Sequence, residues 1–188
     1  NTHKTVLFLS YKAENWNTMD NIYKKYCQEK DTKVIVQSVP YYYKNVDGTF
    51  EKYIDGGTYP EYVTITPIDD YNYVNDNPDV IVFQYPYDNY NSAGTTDPVF
   101  YSYNLASHTQ KLIYVPYFRT DEIDENDMRA YTNMDAYVTM PGVVYSDTAI
   151  VQSEGIRKLY IKKLTDFFGE KSEAEWENKI EAEDIGGI

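Results

Sequence analysis

Five short apolar runs, at residues 5–10, 34–36, 80–83, 111–115 and 149–152, constrain this chain more than any other feature. Runs of this length, apolar on consecutive positions, are the pattern of parallel strands buried on both faces. Helical periodicity separates several of them. Met19, Ile22, Tyr23, Tyr26 and Cys27 recur at helical spacing after the capping candidates Asn15, Asn17 and Thr18. Ile156, Leu159, Tyr160, Lys163, Leu164, Phe167 and Phe168 fall largely on one face of a helix over 154–168, with Gly169 as its C-cap. The spacing predicts an α/β fold with a doubly wound, mostly parallel sheet, Rossmann-like or flavodoxin-like. It would have about five core strands with helices on both faces.

Other segments are read with less regularity. Residues 40–60 carry turn chemistry, and a short strand is expected at 62–65. Short helices are expected from Asp97 to about His108, from Asp127 to about Tyr137 and over 140–146. Ser172 and Glu175 have the spacing of a capping box opening a final helix. Cys27, on the apolar side of the first helix, is expected in the core, as is Trp16; His108 is expected in an exposed loop.

The balance of 17 basic against 30 acidic residues gives a formal charge of −13. That excludes the clustered positive charge nucleic-acid binding needs, and a polybasic membrane patch as well. With 42% hydrophobic residues the chain nevertheless has ample material for a core. A single cysteine rules out an internal disulfide framework, and with only His3 and His108 no metal site is expected. No apolar run approaches the about 20 residues of a membrane span, which places the expected location in the cytoplasm. The start at Asn1 and the stop after a charged run imply a piece of a longer protein. Residues 1–170 would form the domain, and 171–188 a terminal helix and linker toward a missing half.

Such sheets bind ligands beyond the carboxyl ends of their strands. The dinucleotide signature is absent there, since Ser10-Tyr11-Lys12-Ala13-Glu14-Asn15-Trp16 holds no glycine, and there is no phosphate-binding glycine loop. No cofactor is therefore expected. The loops that do occupy this end carry Tyr11-Lys12, Pro40-Tyr41-Tyr42, Tyr85-Pro86-Tyr87-Asp88-Asn89, Pro116-Tyr117 and Ser153-Glu154. If the sheet order brings them together they line a cleft with phenol rings, one lysine and a few amides. Rings stack on sugar faces, hydroxyls and amides bond polyols, and a lysine meets phosphate. The candidate binding residues are Lys12, Tyr85, Tyr87, Asn89 and Tyr117. Asp88 is the only carboxylate of the cluster placed to act as a base. The same loops also read as rigid connections packed over the sheet ends, because 22 tyrosines put some there by chance.

Val6-Leu7-Phe8-Leu9-Ser10-Tyr11-Lys12-Ala13 with Trp16 resembles the opening motif of the CDP-glycerol:poly(glycerophosphate) glycerophosphotransferase family of teichoic-acid synthesis. Val39-Pro40-Tyr41-Tyr42, Pro78-Asp79-Val80-Ile81, Pro86-Tyr87-Asp88-Asn89-Tyr90-Asn91, Leu112-Ile113-Tyr114-Val115-Pro116-Tyr117-Phe118 and Val151-Gln152-Ser153-Glu154 extend the resemblance in order. It implies the N-terminal, acceptor-side half of a two-Rossmann-domain (GT-B) transferase. CDP-glycerol would be the donor, and a polyol-phosphate or glycan polymer the acceptor. The C-terminal half would be the partner, and membrane contact would come only through the parent protein at the inner membrane face. No histidine here matches the family's proposed base. The isolated chain is expected to be inactive because half of the cleft would lie in the C-terminal half. The alternative is a non-catalytic domain that binds a glycan or a protein through the same loops.

Overall fold

The computed structural model describes residues 3–53 and 57–185. The described elements run β1 (Lys4–Ser10), α1 (Asn17–Gln28), β2 (Thr32–Ser38), β3 (Tyr41–Lys44), β4 (Phe50–Tyr53), α2 (Tyr73–Asp76), β5 (Val80–Phe83) and β6 (Gly94–Thr96). They continue α3 (Ser102–Ala106), β7 (Lys111–Tyr114), α4 (Met128–Asn133), α5 (Pro141–Tyr145), β8 (Thr148–Val151), α6 (Glu154–Phe168), α7 (Glu173–Lys179) and β9 (Ile180–Ala182).

Six strands form one parallel sheet in the order β2-β1-β5-β7-β8-β9. A lone parallel bridge joins Val36 to Ile65 outside β2. It is what remains of the strand expected at 62–65. Counted with that bridge, the order is 3-2-1-4-5-6-7, the Rossmann order with one strand added. The sheet is therefore doubly wound, and its order reverses between β1 and β5.

The strand side chains alternate between two cores. Leu7, Leu9, Ile81, Phe83, Leu112 and Tyr114 face the layer built by α2 to α7. Val6, Phe8, Val80, Val82 and Ile113 face α1 through Trp16, Met19 and Ile22, with Val63 and Ile185 beside them. Two aspartates complete the amino ends of the strands. Asp79 accepts from the Thr5 amide at 2.8 Å, and Asp147 from the Leu112 amide at 2.7 Å. Each supplies an acceptor where the ladder has run out.

Several expectations change. β9 is a sixth strand of the sheet, set inside an acidic run with too little apolar sequence to announce itself, so residues 173–182 add a helix and an edge strand to the same sheet. Residues 41–53, together with residues 94–96, form a second, antiparallel sheet in the order β4-β3-β6. The expected helix after Asp97 is a short turn followed by the five-residue α3. Cys27 is exposed; it lies about 100° round the helix from Tyr26, past the stripe that meets the sheet. The capping box does not form, because Ser172 donates to the Gly169 carbonyl and accepts from the Trp176 indole. Gly56 of the turn-rich stretch and residues 186–188 of the expected linker lie outside the described residues. Among the described residues no helix is long and apolar enough to cross a membrane.

The α1 layer is fastened by one carboxylate. Asp20 accepts from the Trp16 indole at 2.8 Å and the Tyr62 hydroxyl at 2.7 Å, and pairs with Lys24 at 3.0 Å. Burial pushes its carboxyl up, but the bonds from Tyr62, Lys24 and Trp16 prevail and hold it below the usual range. A depressed folded value means stability that is present above the unfolded Asp value, about 3.9, and lost as pH falls through the folded one. Asp20→Ala should lower stability by about 1–3 kcal/mol at neutral pH. The difference from wild type should shrink in acid, as read by urea midpoints followed through tryptophan fluorescence.

Candidate binding site at the carboxyl end of the sheet

Strands β1 and β5 part at the point where the sheet order reverses, and Gln84 bridges them. It is fully buried. Its amide oxygen accepts from the Tyr11 amide at 2.8 Å, and its nitrogen donates to the Asn15 carbonyl and the Thr18 hydroxyl, both at 2.8 Å. These three bonds fix the turn from β1 into α1. Within that turn Lys12 takes φ 62° and ψ 134°, a backbone that side chains other than glycine's adopt only under constraint and at about 1–3 kcal/mol.

The strained turn delivers the Lys12 ammonium among three rings. It lies 4.8 Å from the centroid of Tyr41, 5.3 Å from Tyr11 and 5.5 Å from Tyr43, all within cation–π range. It also donates to the Tyr43 hydroxyl at 3.2 Å. Burial pulls its pKa down, but the Tyr43 bond, the charges of Tyr43 and Tyr41 and the nearby Glu14 carboxylate raise it above the ordinary lysine value, so it stays charged. The ion pairs of the described residues do not include it.

Tyr11 joins this cage to the β5 and β7 loops. Its ring lies 4.7 Å from Tyr85 and 5.0 Å from Tyr117, and Tyr87 lies 5.3 Å from Tyr85. Tyr85 donates to the Gly94 carbonyl at 3.3 Å, and the Tyr87 and Tyr117 hydroxyls meet at 3.4 Å. On the other side Tyr41 stacks on Tyr53 at 5.7 Å, carried by β3 and β4. Burial pushes the hydroxyls of Tyr11, Tyr85 and Tyr87 well up, so they act as neutral donors and acceptors.

Lys12, Tyr85, Tyr87 and Tyr117 thus come together. Asp88 and Asn89 do not join the ring surface. Asp88 has φ 51°, and its carboxylate accepts from the Ser102 amide and hydroxyl, both at 2.9 Å, which caps α3. That bonding leaves it poorly placed to take a proton from a ligand. Asn89 is exposed in the following turn, its backbone carbonyl accepting from Lys44 at 3.4 Å. His108 sits apart, against Tyr73 and Asn77.

The expected cleft is a packed floor. The space enclosed beneath it, lined by Leu9, Tyr11, Phe83 and Tyr85 among others, is about 10 Å³, less than a drug-sized ligand needs by far. Larger open hollows lie elsewhere, about 580 Å³ between Glu125 and Lys158 and about 330 Å³ between Tyr26 and Glu181. Neither contains a ring of the floor. Sequence reasoning missed Gln84, Tyr43 and Tyr53. Gln84 had a signal, an amide directly ending an apolar strand, whereas Tyr43 and Tyr53 needed the β3–β4 pairing. Compared with protein-family models, curated proteins and solved structures, the chain matches none.

Two substitutions test how the floor is held. Gly142 of α5 donates to the Pro86 carbonyl at 2.8 Å, and a Cβ there would meet the Pro86 Cα at 2.6 Å. Gly142→Ala should cost about 1–3 kcal/mol by overpacking and perturb the near-ultraviolet tyrosine signal. Asp88→Ala should cost about 1–2 kcal/mol as a lost helix cap, while Asp88→Asn, which keeps an acceptor and tolerates positive φ, should cost less. Thermal unfolding of both variants checks this.

Proposed function

We propose that this chain is the acceptor-binding half of a glycerophosphotransferase-type enzyme, offering its tyrosine floor to a polyol-phosphate polymer. The observation that carries the reading is Lys12. A strained backbone holds a charged ammonium at the switch point, close to three rings and bonded to one hydroxyl. An ammonium paired this lightly keeps donors for a phosphate. The half-buried rings of Tyr11, Tyr87 and Tyr117, supported from below by the buried Tyr85, give apolar area for the carbon chain of a polyol, and their hydroxyls exchange hydrogen bonds with it.

In this reading the floor binds and orients, and the chemistry belongs to a second Rossmann-like half closing over it with CDP-glycerol. In-line phosphoryl transfer depends on positioning and charge stabilisation from both sides. The packed floor supports that division, because a surface without depth needs a second surface to exclude water. It also favours a second reading, a non-catalytic domain that docks a glycan or protein on an aromatic face, since tyrosine is enriched at interfaces.

Titration of the chain with short poly(glycerol phosphate), and in parallel with CDP-glycerol, distinguishes them. Saturable polymer binding that falls with salt and weakens about 10- to 100-fold in Lys12→Met, the worth of a charged hydrogen bond, supports the acceptor half. Polymer binding indifferent to Lys12→Met favours the aromatic docking face. Binding of neither ligand rejects the acceptor reading.

A further inference from the structure

Gln37 stands near the carboxyl end of β2 and is 1% exposed. Its side-chain nitrogen donates to the Pro67 carbonyl at 3.1 Å and to the Tyr71 carbonyl at 3.2 Å. Two carbonyl partners fix which end of the amide is nitrogen, so the other end is the oxygen. No described residue donates to that oxygen, and it is not sealed in among them. The open space that Gln37 borders is a hollow of about 300 Å³. There the carboxamide presents an acceptor with nothing to accept from.

The rest of the lining has the same character. Asp69 and Asp97 belong to it, and no lysine, arginine or histidine does. Tyr42 of β3 donates to one oxygen of Asp97 at 2.7 Å, which fixes that carboxylate and leaves its second oxygen over. Neither aspartate enters an ion pair of the described residues. The Tyr71 hydroxyl donates to Asp76 at 2.6 Å and the Tyr73 hydroxyl to the Val99 carbonyl, so both bring rings rather than free protons. Phe100 adds a third ring, 6.1 Å from Tyr73.

Acceptors, negative charge and aromatic surface together select an organic cation. A primary ammonium has three donors and no acceptor, which matches Gln37, Asp69 and Asp97 one for one. Rings attract such a cation and cover its carbon stem. Calcium is a poorer match, because it takes about six to eight oxygen ligands and no group of His, Cys, Asp or Glu among the described residues could hold a metal ion. The volume stands at the lower end of small-ligand pockets, about 300–1,000 Å³, which suits a stem of a few carbons. We propose that this hollow is a binding site for a small primary amine, its ammonium held by Gln37, Asp69 and Asp97 and its stem laid against Tyr71, Tyr73 and Phe100. None of the floor's rings lines it, so the inference stands apart from the polyol-phosphate reading.

The test titrates the full chain with butylamine at neutral pH, followed by amide resonances, with butanol, tetramethylammonium and N-acetyl-lysine amide as parallel probes. Butylamine should saturate, and the side-chain amide signals of Gln37 should move with the same midpoint. Asp69→Asn, and Asp97→Asn, which keeps an acceptor for Tyr42, should each weaken it about 10- to 100-fold, the worth of a charged hydrogen bond. Glu125→Gln, in the hollow beside α6, should leave it unchanged. Butanol lacks the charge and tetramethylammonium the N–H donors, so both should bind at least about tenfold more weakly. Shifts that spread without saturating, stationary Gln37 signals, or indifference to either aspartate substitution overturn the assignment. So does equal binding of butanol or tetramethylammonium. Tighter binding of the blocked lysine than of butylamine also overturns it, since the hollow would then serve a peptide side chain.

Discussion

The carboxamide of Gln84 is the constraint on which the carboxyl end of the sheet depends. Two central strands, each buried on both faces, must diverge there, and their backbone groups lose ladder partners in a place water does not reach. One side chain with an acceptor and two donors answers the Tyr11 amide, the Asn15 carbonyl and the Thr18 hydroxyl together. The turn carrying Lys12 is thereby tied at both ends. Its positive φ can persist because the surroundings over-determine it. The cage, the Tyr11 contacts with Tyr85 and Tyr117, and the start of α1 all follow from that bridge.

Acidic residues are abundant, yet those at structural junctions spend their oxygens on amides and hydroxyls. Asp79 and Asp147 complete strand ends, Asp88 caps α3, Asp127 accepts from the Ala130 amide in α4, and Asp20 gathers Trp16 and Tyr62. The tyrosines behave in the opposite manner, building surface and core from rings, and burial pushes the hydroxyls of Tyr11, Tyr85 and Tyr87 well up. A chain of charge −13 thus presents, at its topologically favoured end, phenols and a cation. The long reach of the net charge opposes anionic ligands in dilute salt, and screening at physiological ionic strength shortens that opposition to about 8 Å.

The parallel sheet was legible because burial on both faces writes itself into consecutive apolar residues. Helix α6 was legible to its ends, since Ser153 accepts from the Ile156 amide and Gly169 adopts φ 104°. What stayed hidden depended on partners distant in sequence. β9 is a strand only because β8 offers an edge to Ile180, Glu181 and Ala182. Tyr41, Tyr42 and Tyr43 read as part of a turn-rich stretch until β4 and β6 flank them. The convergence of Lys12, Tyr85, Tyr87 and Tyr117 could be anticipated from strand ends alone, whereas the diversion of Asp88 to Ser102 could not. Nor could sequence show that rings would fill the space a cleft would occupy.

The two faces of the sheet are unevenly clad. Helices α2 to α7 pack on one, while α1, with Val63 and Ile185, covers the other. Cooperative opening under native conditions begins where the fewest contacts must break, which here is the α1 layer. Thr18, in the first turn of that helix, is held by Gln84 at the end of the sheet where Lys12 stands. The Lys12 turn and the first turn of α1 are consequently held by the same side chain. If the floor binds as proposed, a molecule resting on Lys12 will slow amide exchange along a helix most of which it never touches.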